Sequence, residues 1–133
     1  MKRILVAYDG EPPARRALGL AASLARAFDA TISLVSVVPV QPGRMSIDPW
    51  DDRATHMRQL QDARRVLLER GIEPELIEPY GDPAQTIERI ADERNFDTIV
   101  MGTRGLGSVA RALQGSVSEH VATHATTTVI IAR

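Results

Sequence analysis

A glycine-rich segment, Gly-Thr-Arg-Gly-Leu-Gly-Ser-Val-Ala-Arg-Ala-Leu-Gln-Gly-Ser-Val-Ser from Gly102 to Ser118, follows directly on an apolar, strand-like run. Glycines let backbone N–H groups turn toward a ligand with no Cβ in the way, and a helix start adds unpaired donors and the positive end of its dipole. The segment is therefore suited to hold phosphate. Arg104 and Arg111 within it read either as phosphate contacts or as solvated arginines. Asp9, before Gly10, stands where the first strand-like run ends, and can face a ligand or simply lead into a helix as a cap. His120 and His124 stand four apart on an expected helix, a spacing that can hold a metal ion. The sequence offers no evident third ligand and no zinc-protease glutamate, and a cation is favourable near a helix C-terminus anyway, so no metal is assigned to the protein's own side chains.

Two familiar nucleotide motifs fail in the glycine segment. Gly102 and Gly107 bracket four residues and Ser108 follows, but a P-loop also needs a lysine on the β- and γ-phosphates, and Lys2 is the chain's single lysine. Gly105-Leu106-Gly107-Ser108-Val109-Ala110 formally resembles a dinucleotide fingerprint, yet it does not follow the first strand, and the chain ends before the acid such a site requires. A phosphorylated receiver domain is set aside for want of a lysine after the last strand and a clear acceptor aspartate.

These residues need a scaffold, and the hydrophobic periodicity supplies one. Arg3 to Tyr8 reads as a strand, and Pro12-Pro13 opens a helix to Phe28 with Ala17, Leu18, Ala21, Leu24, Ala25 and Phe28 on one stripe. Thr31 to Val38 is a second strand. Pro39 to Trp50 is a long loop of the kind that forms lids, with Met45 and Trp50 free to cover a ligand or partner. Asp51-Asp52 caps a helix with Ala54, Met57, Leu60, Ala63, Leu67 and Leu68 inward, ended by Gly71. Glu73 to Tyr80, with two prolines, suits an edge strand. Asp82-Pro83-Ala84-Gln85 starts a helix to about Arg94 carrying Ile87, Ile90 and Ala91 inward. Asp97 to Met101 is a fourth strand, about Ser116 to His124 a last helix, and Thr127 to Ala132 a fifth strand. This alternation predicts parallel pairing through right-handed crossovers, hence a three-layer α/β/α sandwich.

Composition narrows the function. The 133 residues suffice for a single domain, residues 1–133, with its own core; cysteine is absent, which rules out disulfides and thiolate metal sites. No leader precedes the first strand and no apolar run nears the roughly 18 residues of a membrane span, so a cytoplasmic protein without membrane partner is expected. A net charge of −1 with scattered basic residues and few aromatics argues against nucleic acid.

The pattern Gly102-x2-Gly105-x9-Gly115-Ser116, with Ile4-Leu5-Val6-Ala7-Tyr8-Asp9-Gly10 at the start and Val129-Ile130-Ile131-Ala132 at the end, resembles the universal stress protein family, in its ATP-binding branch, along essentially the whole chain. The resemblance implies a Rossmann-like five-stranded parallel sheet in the order 3-2-1-4-5, ATP at the carboxyl ends of strands one and four with Mg²⁺ carried on its phosphates, and a homodimer. In that order the apolar last strand, Thr127 to Ala132, is a bare edge, so the dimer is expected to form through it. Carried over by motif position, Ala7, Tyr8 and Asp9 lie along adenine and ribose and Val38 packs on the base. Met101, Gly102, Arg104 and Gly105 come close to ribose and phosphates, and Gly115, Ser116, Val117 and Ser118 offer amides and hydroxyls to the β- and γ-phosphates. The function so implied is that of an ATP-binding stress-response or regulatory protein with an unidentified protein partner. The alternative is a slow ATPase or self-phosphorylating protein using the same site. The lack of a lysine that can reach the phosphates and of an evident water-orienting group favours the binding role.

Overall fold

The computed structural model describes residues 1–40, 53–103 and 109–133, of which 109–116 by backbone alone. Met45, Trp50, the Asp51-Asp52 cap, Arg104, Gly105 and the Arg111 side chain lie outside the described parts. The elements run β1 (Arg3–Ala7), α1 (Pro12–Phe28), β2 (Thr31–Val35), β3 (Val38–Pro39), α2 (Arg53–Glu69), β4 (Glu75–Ile77), β5 (Tyr80–Gly81), α3 (Pro83–Glu93), β6 (Thr98–Gly102), α4 (Val109–His124) and β7 (Thr128–Ala132). A five-stranded sheet has the order β4-β2-β1-β6-β7, every pairing parallel. Counting its own strands from the N-terminus, this is the expected order 3-2-1-4-5. The expected second strand breaks after Val35, and Val38–Pro39 pairs instead with Tyr80–Gly81 in a two-stranded sheet.

Both faces of the sheet are covered, which is why its central strands are apolar throughout instead of alternating. Ile4, Val6, Leu34 and Val100 pack with α1 and with Leu60, Ala63 and Leu67 of α2, while Leu5, Val35, Ile99 and Met101 face Ala84, Ile87, Ile90 and Ala91 of α3 and Val121 of α4. Ile4, Leu5 and Val6 are fully buried, each worth roughly 1.5–3 kcal/mol relative to exposure. The buried stripe of α1 is largely alanine (Ala14, Ala17, Ala21, Ala22, Ala25), so the helix lies close to the strands; Phe28, expected inward, is 54% exposed in its last turn. On α2 the inward positions are His56, Leu60, Ala63 and Leu67, a four-three-four spacing, whereas Ala54 and Leu68 are exposed and Met57 only partly buried.

Helix ends follow their local signals. Gly71, at φ +78°, closes α2 with Ile72 N–H donating to Leu67 O and Gly71 N–H to Leu68 O; Asn95, at φ +58°, closes α3 in the same way. At the start of α3 the Asp82 carboxylate accepts the Gln85 N–H at 3.0 Å, as the sequence predicts. The start of α4 differs: it begins at Val109, so Gly115 and Ser116 lie inside the helix and Ser116 is not its cap. Val109 to Gln114 are mostly good helix formers, and one interior glycine costs only about 1 kcal/mol relative to alanine. The unpaired amides of this helix therefore belong to its first turn.

Candidate functional site

The connection after β1 runs to α1 on one face of the sheet, and the connection after β6 runs to α4 on the other. Adjacent strands that part in this way leave a crevice at their carboxyl ends. There the structure has a cleft of about 340 Å³, a size suited to a small ligand. Its floor comes from Ala7, Tyr8 and Asp9 beyond β1, Val35, Ser36 and Val37 beyond β2, and Met101, Gly102 and Thr103 of β6 and its exit. The walls are the first turns of α1 and α3, Thr55, His56 and Gln59 of α2, and Val117 and Ser118 of α4.

Of the residues singled out from sequence, Ala7, Tyr8, Asp9, Met101, Gly102, Val117 and Ser118 lie around this one cleft. Val38 is buried but does not line it; Val37 and Pro39 on either side do. Gly115 and Ser116 sit in the α4 backbone ahead of Val117. Asp9 Oδ1 accepts the Glu11 N–H at 2.9 Å, which ties it to the turn into α1 as well as to the cleft. Gly102 has a packing role besides any ligand role: a Cβ there would lie 2.3 Å from the Pro13 carbonyl carbon. Burial pushes the Tyr8 phenol above its ordinary range, only partly offset by Arg15 beside it, so Tyr8 is a neutral wall of the cleft.

The polar side of the cleft includes residues with no local sequence signature. The buried Ser36 hydroxyl and His56 Nδ1 are hydrogen-bonded across 20 residues of sequence. Among the described residues Gln59 Oε1 is buried with no hydrogen-bond partner, an acceptor that a donor on a ligand could satisfy. The only signal for His56 was its place in the four-three-four register of α2, and histidine is not normally read as an inward residue.

Anion chemistry is unevenly distributed. Pro12 and Pro13 occupy the first two positions of α1, and Pro83 the first of α3. Proline has no N–H, and Asp82 has already taken the Gln85 amide, so these two helix starts offer few donors to an anion. Hydroxyl-bearing residues also line the cleft, Ser36 and Thr55 on one side and Thr103 and Ser118, both within the glycine segment, on the other.

Fold and cleft together define a doubly wound α/β protein with a cleft at the point where the strand order reverses. The chain belongs to the universal stress protein family, whose model matches residues 1–133. It is 35% identical over 137 residues to the Thermus aquaticus protein named "Universal stress protein in QAH/OAS sulfhydrylase 3'region", covering 99% of this chain and 98% of that one. Among solved structures it resembles the universal stress protein from Archaeoglobus fulgidus in complex with dAMP, with 26% identity, a TM-score of 0.79 and coverage of 100% and 98%. It also resembles a universal stress protein in complex with cAMP, with 26% identity, a TM-score of 0.76 and coverage of 99% and 96%. No helix among the described residues is long and apolar enough to cross a membrane.

Proposed function

We propose that this chain is a single-domain, cytoplasmic stress-response protein that binds ATP with Mg²⁺, and that the nucleotide changes its conformation or its choice of partner. The observation that carries this reading is the convergence of Ala7 to Asp9, Met101 and Gly102, and Val117 and Ser118 on one cleft, in a fold whose relatives include proteins with dAMP and cAMP bound. In this reading adenine lies against the apolar side formed by Ala7, Val35, Val37 and Met101, within reach of the Gln59 acceptor. Asp9 meets the ribose or base. Because the starts of α1 and α3 are poor in donors, the phosphates are assigned to the glycine segment. Arg104, Gly105, the first-turn amides of α4 and the Thr103, Ser116 and Ser118 hydroxyls are the proposed contacts, while the Gly115 and Val117 amides, inside the helix, are not. Mg²⁺ is held through the phosphates.

The apolar strand β7 forms one edge of the sheet, and pairing with a second copy of itself would cover that edge and give a homodimer.

Melting curves of nucleotide-stripped protein test the site. At a ligand concentration about 100 times Kd, ATP with Mg²⁺ adds roughly 2.7 kcal/mol, a shift of several degrees, while GTP and NAD do much less. Asp9→Asn keeps an acceptor for the Glu11 amide but removes the charge. It should weaken ATP binding if Asp9 faces ribose or base, whereas tighter binding would mean that the phosphates lie beside it. A shift with AMP but none with ATP would refute the triphosphate; no shift with any adenine nucleotide would refute the site.

A further inference from the structure

The tertiary structure supplies a third potential ligand for the histidine pair that the sequence left short. Glu88 of α3 faces His120 and His124 of α4, and one ligand atom from each of the three lies within 4.8 Å of the others. We infer that Glu88, His120 and His124 form a binding site for a divalent transition-metal ion of the zinc class, clamping α3 to α4.

Without an ion, both rings are tied by hydrogen bonds. The His120 Nδ1 to Glu88 Oε1 distance is 2.7 Å, and the His124 Nδ1 to His120 carbonyl distance is 3.0 Å. A carboxylate and a carbonyl only accept, so in both rings Nδ1 carries the proton and Nε2 keeps its lone pair in the neutral form. For His124 the carbonyl bond leaves Nε2 to an ion, the usual support of a metal-bound histidine, whereas the Glu88–His120 bond must open for both side chains to reach one ion. The rings now stack, with centroids 4.1 Å apart and planes 22° apart. Bonds of about 2.0–2.2 Å to a tetrahedral ion would bring the ligand atoms closer together than 4.8 Å. Side-chain rotation can provide that, because His120 is 39% exposed and His124 is exposed. Two imidazoles and one carboxylate suit zinc, cobalt, nickel or copper better than magnesium or calcium, and three protein ligands leave room for water on the ion. Ile87 precedes Glu88, and Val117 and Ser118 lie on the turn before His120; all three line the cleft, so an ion clamping these helices would also hold one cleft wall.

The test is calorimetric titration of the tag-free, chelator-treated full chain with zinc chloride in the absence of nucleotide, followed by cobalt(II) absorption spectroscopy. One ion per chain is expected, with a visible cobalt spectrum of low-coordinate form and no heat from Mg²⁺. His120→Ala, His124→Ala and Glu88→Gln should each weaken zinc binding by roughly tenfold or more. His124 is exposed, so if His120→Ala fails to fold, His124→Ala decides. No zinc heat, one ion per two chains, or unchanged binding in His124→Ala would overturn the site.

Discussion

Replacing Gly102 with alanine tests the central packing contact of this molecule. The added Cβ would stand 2.3 Å from the Pro13 carbonyl carbon, 2.5 Å from its oxygen and 2.6 Å from the Ala14 nitrogen. Carbon atoms rest about 3.5–4.0 Å apart, so relief requires the first turn of α1 and the end of β6 to separate by more than about 1 Å. No rotamer can absorb this, because all three obstructing atoms are backbone and the adjacent Pro12-Pro13 pair has restricted φ. Overpacking of this kind costs about 1–3 kcal/mol, and the rigidity of the neighbours argues for the upper half. For a chain of this size that is a fall in Tm of about 6–15 °C. Gly19→Ala in the same helix is the control: nothing lies within 4 Å of its would-be Cβ, and helix propensity alone should raise stability by about 1 kcal/mol. Urea denaturation of the three proteins gives the comparison, with m expected to be unchanged. A Gly102→Ala protein within about 0.5 kcal/mol of wild type, beside a normally behaving Gly19→Ala, would refute the close approach of α1 to β6.

Three further outcomes follow. Burial raises the Asp97 carboxyl, but the Lys2 and Arg3 amides, the Thr98 hydroxyl and the N-terminal ammonium outweigh it and leave the pKa below its ordinary value. Its stabilising contribution is therefore present above about pH 4 and lost as pH falls through the lowered value; the stability gap between wild type and Asp97→Asn should narrow in that window, and a gap independent of pH from 2 to 7 would contradict it. Thr103 N–H donates to Ala132 O at 2.8 Å, so Ile130 and Ala132 turn their polar groups to β6 while Val129 and Ile131 turn theirs outward. Ile131→Pro should shift a dimer to monomer in sedimentation without unfolding the chain, and a monomeric wild type at micromolar concentration would remove the dimer. Phosphate release from ATP should stay below about 1 s⁻¹, because amides and hydroxyls that bind ground-state phosphates do not by themselves raise kcat; faster release would favour the ATPase reading.

The order of elements, the starts and stops of most helices and the glycine spacing were legible in the sequence because each rests on residues a few positions apart. Asp82 and Gln85 meet within one helical turn, and Gly71 ends α2 by its own backbone freedom. The doubly buried sheet was equally legible, since unbroken apolar runs such as Ile4-Leu5-Val6 have little other use. The start of α4 was not, because glycine marks a helix end only when the residues beyond it stop propagating the helix, and Val109 to Gln114 do not. Contacts between distant segments were hidden altogether: Ser36 with His56, Gly102 with Pro13, and Glu88 with His120 across 32 residues. Each depends on which helix faces which strand end, a choice made by burying apolar area over the whole sheet, which leaves no mark on the polar residues it brings together.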